Sequence, residues 1–336
     1  MRVNNKLHIS EKNILIIGNR SYKNLGDELI LLWTVKLLLE QEKNITIAAY
    51  EPEWLEKFLS QFIDTADITF ITEIPKGFRS WMRYISEWKL KEWKLRRKID
   101  AVIIGWWEII TEENKNSYRY RLASLLFCLR KPRYLMWGIQ LPIKRFNWLL
   151  FRFLLKRTKH IFARDHETVH ELKTYGFNNV EFFMDTAYFA YPRASFNHLS
   201  VSTVDRSEKY IIVNINKNGE QFFEEILQDV KEYIEQWYEV YFVPVSIGTK
   251  KEYSDIFYYH KLKTSLKLEA EHVTLLEWKS EFEYFVKMLA GASIVISTRL
   301  HLFLIASFIG VPTKVYPYQR KILKMQNTIK DLSIKT

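Results

Sequence analysis

The sequence predicts an α/β protein made of two doubly wound domains facing a cleft, residues 1–195 and 196–336. Three observations predict it. Short β-branched runs such as Asn13 to Gly18 (NILIIG), Ala101 to Gly105 (AVIIG) and Ile294 to Ile296 (IVI) read as strands buried on both faces. Segments of helical period separate such runs, which is the rhythm of a mostly parallel sheet wrapped by helices. Between Tyr191 and Glu208 that rhythm stops and Ser, Pro, Asn and Asp accumulate, so the domain linker is placed there.

In order, the first half reads as strand Asn13 to Gly18, a polar loop, and a helix from about Gly26 to Gln41. Strand Ile45 to Ala49 follows, then helix Pro52 to Leu59, whose proline suits a first turn. Further strands are expected at Ile68 to Ile71, Ala101 to Gly105, Tyr134 to Trp137, His160 to Ala163 and Val180 to Met184. The second half reads as strand Tyr210 to Ile215, helix Glu220 to Trp237, strand Val240 to Val245, helix Tyr253 to Leu268 and strand His272 to Leu275. Helix Glu281 to Leu289, the strand run Ile294 to Ile296 closed by polar residues, the apolar helical run Leu302 to Val311, strand Thr313 to Tyr316 and a closing helix from about Arg320 complete the chain.

Composition narrows the class. With 336 residues, 48% hydrophobic and 15% aromatic, the chain can fill two cores. A formal charge of +11 points to an anionic partner. The single cysteine, Cys128, excludes an intramolecular disulfide and fits a reducing compartment. The start of the chain is not expected to act as a signal peptide, and no apolar stretch reaches the ~18 residues of a spanning helix. A cytoplasmic location is expected, with peripheral contact at the inner face of the membrane left open. Lys76 to Lys98 supports that contact: nine basic and two acidic residues are interleaved with Trp81, Trp88 and Trp93. An ordinary surface helix with a tryptophan-rich core face explains the same pattern.

Candidate chemistry sits at strand ends, where ligands of open α/β sheets bind. Ser297-Thr298-Arg299-Leu300-His301 follows a strand and places a permanent cation beside a titratable imidazole. Asn24-Leu25-Gly26-Asp27-Glu28 lies at the first strand-to-helix turn, where Gly26 permits close backbone approach and helix amides suit an anion or hydroxyl. Ala163-Arg164-Asp165 and Asp185-Thr186-Ala187 follow two more strands. Each has a structural alternative: Arg299 snorkelling at a core edge, Asp27 and Glu28 favouring a helix start, Asp165 capping a helix.

NLGDELIL (Asn24 to Leu31), ARDHETVHELKTYGF (Ala163 to Phe177), MDTAYF (Met184 to Phe189), STRLHLFLIAS (Ser297 to Ser307) and GVPTKVYPYQRK (Gly310 to Lys321) together resemble the polysaccharide pyruvyl transferase family, in the family's order. The resemblance implies two Rossmann-like domains of GT-B-like fold, the second carrying the Arg-Leu-His motif and the closing helix. It implies phosphoenolpyruvate as co-substrate and a sugar hydroxyl pair of a polysaccharide or cell-surface precursor as acceptor, joined as a ketal. The acceptor, lipid-linked or polymeric, is assigned to the N-terminal side. No cofactor and no metal are implied. By motif matching, Arg164, Arg299, Leu300 and His301 hold the donor.

Residue chemistry adds to this. A small donor with a carboxylate and a phosphate suits arginine forks. His301 is the best general acid, and Asp27 or Glu28 is a candidate base for the attacking hydroxyl. Asn24, Gly26 and Asp27 are acceptor-binding candidates. Trp106 and Trp107 join them, because they replace the family's glycine-rich turn and offer sugar-stacking faces. Two other signals carry little. His166 to His170 matches a zincin string, but without an evident third ligand. No nucleic-acid recognition module is present, so no nucleic-acid partner is expected. The alternatives are a GT-B glycosyltransferase using a nucleotide sugar, and a non-catalytic assembly protein on anionic membranes.

Overall fold

The computed structural model of the chain describes residues 7–18, 23–73, 97–105, 131–136, 152, 158–185, 209–247, 254–278 and 282–334. These form two Rossmann-like units. The first comprises Met1–Ser21, Ile30–Asp185 and Lys324–Thr336, the second Tyr22–Leu29 and Thr186–Leu323. The linker stretch, the 195/196 boundary, the basic segment to residue 96, Cys128, and Trp106 and Trp107 lie outside the described residues.

The first unit carries a parallel seven-stranded sheet in the order β3-β2-β1-β4-β5-β6-β7. Its strands are β1 (Asn13–Ile17), β2 (Asn44–Ala49), β3 (Thr69–Thr72), β4 (Ala101–Gly105), β5 (Arg133–Met136), β6 (His160–Ala163) and β7 (Val180–Phe182). The apolar runs are strands because both faces are covered: Ile14, Ile16, Ile47, Ala101 and Ile103 are all fully buried. Helix α1 (Leu25–Leu39) crosses from β1 to β2 and is apolar around most of its circumference, so it too is largely buried. Helices α2 (Pro52–Leu59) and α3 (His166–Thr174) follow. The Asp165 side chain caps α3, its Oδ1 accepting from Thr168 N at 2.7 Å. His166 stacks on Phe182 at 4.1 Å between ring centroids.

The second unit has a parallel five-stranded sheet in the order β10-β9-β8-β11-β12. It is made of β8 (Tyr210–Asn214), β9 (Glu239–Phe242), β10 (Val273–Leu275), β11 (Ile294–Ser297) and β12 (Thr313–Val315). Around it pack α4 (Phe223–Glu235), α5 (Asp255–Leu266), α6 (Phe282–Gly291) and α7 (Leu300–Ile309). Helix α8 (Arg320–Ile334) closes the chain, and from Lys324 onward it counts with the first unit. Helix α4 buries Phe223, Ile226, Leu227, Val230 and Ile234, one stripe at helical spacing, against Ile211, Val213 and Phe242 of the sheet.

Element edges moved where local chemistry overrides periodicity. The helix expected from Glu220 opens instead as a 3-10 turn, Lys217–Phe222, started by Asn216 Oδ1 accepting from Gly219 N at 2.7 Å, and becomes α-helical only at Phe223. Strand β9 stops at Phe242 rather than Val245, since Pro244 has no N–H for a ladder. Helix α5 ends at Leu266, where Lys267 takes a φ of 55° that an α-helix cannot carry.

One charge cluster in the first unit sets an acid sensitivity. Glu11 accepts from Lys159 Nζ at 2.8 Å and from the Tyr134 hydroxyl at 2.6 Å. Partial burial pushes its carboxyl up, but these hydrogen bonds, with others from its own backbone and Ser10, outweigh it and hold the carboxyl at about 2 instead of 4.5. A depressed folded-state pKa contributes stability that is complete above the unfolded value. The contribution is therefore lost as the pH falls from about 4.5 toward about 2. Urea unfolding of wild type and Glu11→Gln is expected to show a shallower pH dependence for the variant in that window.

Candidate active site

In the second sheet, β8 has β9 on one side and β11 on the other, so the order of strand addition reverses between β8 and β11 while all strands stay parallel. The carboxyl ends flanking such a switch point are where a doubly wound sheet opens toward a ligand. Asn214 ends β8 and Asn216 lies two residues beyond it, while Ser297 ends β11 and is followed by Thr298 and Arg299. The two turns are stitched together: Asn214 O accepts from Thr298 N at 3.2 Å, and Thr298 Oγ1 accepts from Asn216 N at 3.0 Å. The Asn216 amide also donates to the Tyr318 hydroxyl at 3.2 Å.

Arg299 turns out of β11 in an extended conformation, Ser297 Oγ accepting from its N–H at 2.9 Å, and α7 starts at the next residue. No side chain caps that helix, so its first-turn amides point into the same turn. The Arg299 guanidinium is 13% exposed and meets Asp255, whose side chain is wholly buried. Nη2 donates to Oδ1 at 2.6 Å and Nε to Oδ2 at 3.2 Å, a two-pronged ion pair. Burial disfavours the cation, but the Asp255 charge and hydrogen bonds, with smaller contributions from Tyr318 and Asp27, hold Arg299 above its ordinary range. It stays charged at any pH of interest.

His301 lies on the first turn of α7 against the backbone of Gly26. A Cβ at Gly26 would fall 1.8 Å from His301 Nδ1 and 2.2 Å from Cγ. Nothing larger than hydrogen fits there. The close approach follows from how the start of α1 is held in the second unit. Leu25 N donates to Val245 O at 2.9 Å, Ile247 N to Lys23 O at 3.2 Å, and Asn24 bridges Ser246. Asn24 then begins the helix, its Oδ1 accepting from Gly26 N at 3.1 Å and its carbonyl from Glu28 N at 3.1 Å. Asp27 and Glu28 occupy the first turn, both buried, Glu28 completely.

The second unit thus brings together Asn24, Gly26, Asp27, Glu28, Arg299, Leu300 and His301. Leu300 is itself a buried core residue, so its offer to a ligand is its backbone. Arg164 belongs to the first unit, at the carboxyl end of β6. Its Nη1 lies 3.6 Å from Oδ2 of Asp185, an ion pair too long for a hydrogen bond. The residue after β6 and a residue three positions beyond β7 therefore meet, which pairs two motifs that the sequence keeps apart. Lys324 from α8 sits beside this turn, 3.3 Å from Glu167 and 4.0 Å from Asp165.

Asp255, Asn214, Asn216 and Tyr318 were missed in the sequence. A signal existed for the asparagines: two of them close an apolar strand at a carboxyl end, the rule already applied to Arg299. Asp255 gave none, since Ser254-Asp255 reads as an ordinary helix start and Ser254 does cap α5.

The family profile of polysaccharide pyruvyl transferase matches residues 24–320. No curated protein gives a significant match. Among solved structures, the UDP-GlcNAc 2-epimerase from Neisseria meningitidis bound to UDP-GlcNAc is similar at 14% identity and a TM-score of 0.59, covering 96% of this chain and 91% of its own. The UDP-GlcNAc 2-epimerase from Methanocaldococcus jannaschii in complex with UDP-GlcNAc and UDP gives 13%, 0.56, 96% and 92%. A glycosyltransferase from Rickettsia africae gives 12%, 0.55, 96% and 89%. Likeness at this identity speaks for a GT-B-like fold alone. The profile match spans most of the chain, from the Asn24 turn through the Arg299 turn, and on that ground the protein belongs to the polysaccharide pyruvyl transferase family.

Proposed function

We propose that the protein transfers the pyruvyl group of phosphoenolpyruvate to two hydroxyls of a polysaccharide or its precursor, forming a ketal and releasing phosphate. The observation that carries this reading is the Arg299-Leu300-His301 turn: a locked cation and an imidazole two positions apart around an uncapped helix start. In the reaction the methylene carbon of the donor gains a proton and becomes a methyl group. The adjacent carbon gains two C–O bonds to the acceptor and loses its bond to phosphate. The two hydroxyl protons end on the methyl carbon and on the released phosphate, so the step needs no other reactant.

Arg299 binds the donor's negative charge, and the α7 amides favour the same charge. Arg164 is the second donor arginine by motif matching. His301 delivers the proton to carbon. Asp27, whose charge reaches Arg299, is the better placed of the two candidate bases; Glu28 is fully enclosed. Asn24 and Gly26, with Trp106 and Trp107, remain the proposed acceptor contacts. The acceptor's lipid linkage, a cytoplasmic location and contact with an anionic membrane through the basic segment belong to the same proposal. Among the described residues no helix is long and apolar enough to cross a membrane.

The test is a thermal-shift series with phosphoenolpyruvate and with nucleotide sugars, followed by phosphate release and product mass on a glycan panel. Stabilisation by about 2.7 kcal/mol is expected once phosphoenolpyruvate reaches 100 times its dissociation constant. Stabilisation by a nucleotide sugar alone, with that sugar consumed, would instead establish a glycosyltransferase.

A further inference from the structure

The buried pair at Arg299 limits how that arginine can meet a ligand. A guanidinium offers five N–H donors, and the Nε and Nη2 edge forms its side-on fork. That fork is taken by Asp255. Of the three remaining donors, one on Nη1 and the second on Nη2 form the end-on fork. A carboxylate or phosphate can therefore be held by two parallel hydrogen bonds only end-on.

Asp255 is held as firmly as it holds. It begins α5, where the helix dipole favours a carboxylate. Its Oδ2 accepts from Asn214 Nδ2 at 2.9 Å and from Ser246 N at 3.1 Å, besides Arg299. The other proton of the Asn214 amide goes to Val243 O at 2.8 Å, which fixes which way that amide faces. Donors from β8, from the turn after β9 and from the turn after β11 thus converge on one carboxylate. Ser246 also carries the bridge that anchors Asn24, so the same knot serves both walls of the candidate site.

We propose that Asp255 is a positioning residue for the donor: it binds no substrate itself but fixes Arg299 with its end-on fork presented. This rests on phosphoenolpyruvate being the donor. Its electrostatic consequence runs the other way, which makes it testable. Asp255 cancels part of the charge an anionic donor would feel. Removing that negative charge strengthens donor binding if charge alone matters, and weakens it if orientation matters.

The experiment is calorimetric titration of the full chain with phosphoenolpyruvate, for wild type, Asp255→Asn, Arg299→Lys and the double variant, with melting temperatures alongside. Affinity is expected to fall at least tenfold in Asp255→Asn. In the Arg299→Lys background, which has no fork to orient, the same change is expected to alter affinity less than twofold. A general structural defect would lower affinity equally in both backgrounds, and that result overturns the proposal. So does unchanged or tightened binding in Asp255→Asn. Should Asp255→Asn not fold, Asn214→Ser replaces it, with a smaller loss expected; wild-type affinity in that folded variant overturns the proposal equally. A wild type that does not bind phosphoenolpyruvate overturns the donor assignment itself and is seen before any variant is compared.

Discussion

Gly26→Ala is expected to lower turnover by about 100-fold, approaching the loss in His301→Ala. General acid catalysis contributes roughly 10²–10⁴-fold, and misplacing a reacting group by about 1 Å costs on the order of 10²-fold. The added methyl would need the space of the imidazole, only 1.8 Å from Nδ1. Either the ring swings away from its place or the start of α1 shifts. Helix propensity predicts the opposite sign, because alanine is favoured over glycine inside a helix by roughly 0.5–1 kcal/mol. Overlap at this distance dominates that small gain. Steady-state phosphate release, with donor affinity measured separately, checks the prediction. Under the proposed roles, turnover falls in both variants while phosphoenolpyruvate affinity changes much less. A Gly26→Ala protein with wild-type turnover would remove His301 from the chemistry as placed.

Arg299→Ala is expected to strike stability as well as binding. Breaking a buried ion pair by removing one partner costs about 3–5 kcal/mol, since the other charge stays buried without its counter-charge. Asp255 would keep the donors from Asn214 and Ser246, so a loss near the lower end, about 3 kcal/mol, is expected. Urea denaturation reads this directly. Removing both charges while keeping an acceptor, Arg299→Met with Asp255→Asn, is expected to recover much of the loss, because the charge-desolvation penalty goes with the pair and the remaining amide oxygen still accepts from Asn214 and Ser246. Donor binding is expected to stay abolished in the double variant. Recovery of stability without recovery of binding separates the two tasks of Arg299.

Much of the fold was legible because strands buried on both faces are short, apolar and β-branched. Strands β4 and β6 and helix α2 fall on their expected limits, and most other strands lie within a residue or two of theirs. The misplaced edges are those where a single side chain or a proline decides, as at Asn216 and Pro244. At the candidate site the residues were legible singly, as polar groups at strand ends, but their partners were not. Arg299 was readable as a cation meeting a ligand. That its side-on fork is already filled depends on a carboxylate 44 residues away on a different helix.

By itself, then, the sequence determined the succession of strands and helices, the parallel character of the sheets and the motifs that close β6, β7 and β11. These are local properties, set by side-chain period and turn chemistry within a few residues. Only the tertiary structure decided that the Asn24 turn packs beside His301, that Gly26 has to be a glycine for this reason, and that Asp255 locks Arg299. Those pairings follow from strand order. Once β8 lies between β9 and β11, parallel crossovers bring the turns after all three strands to one end of the sheet. No local pattern encodes which turns will meet there.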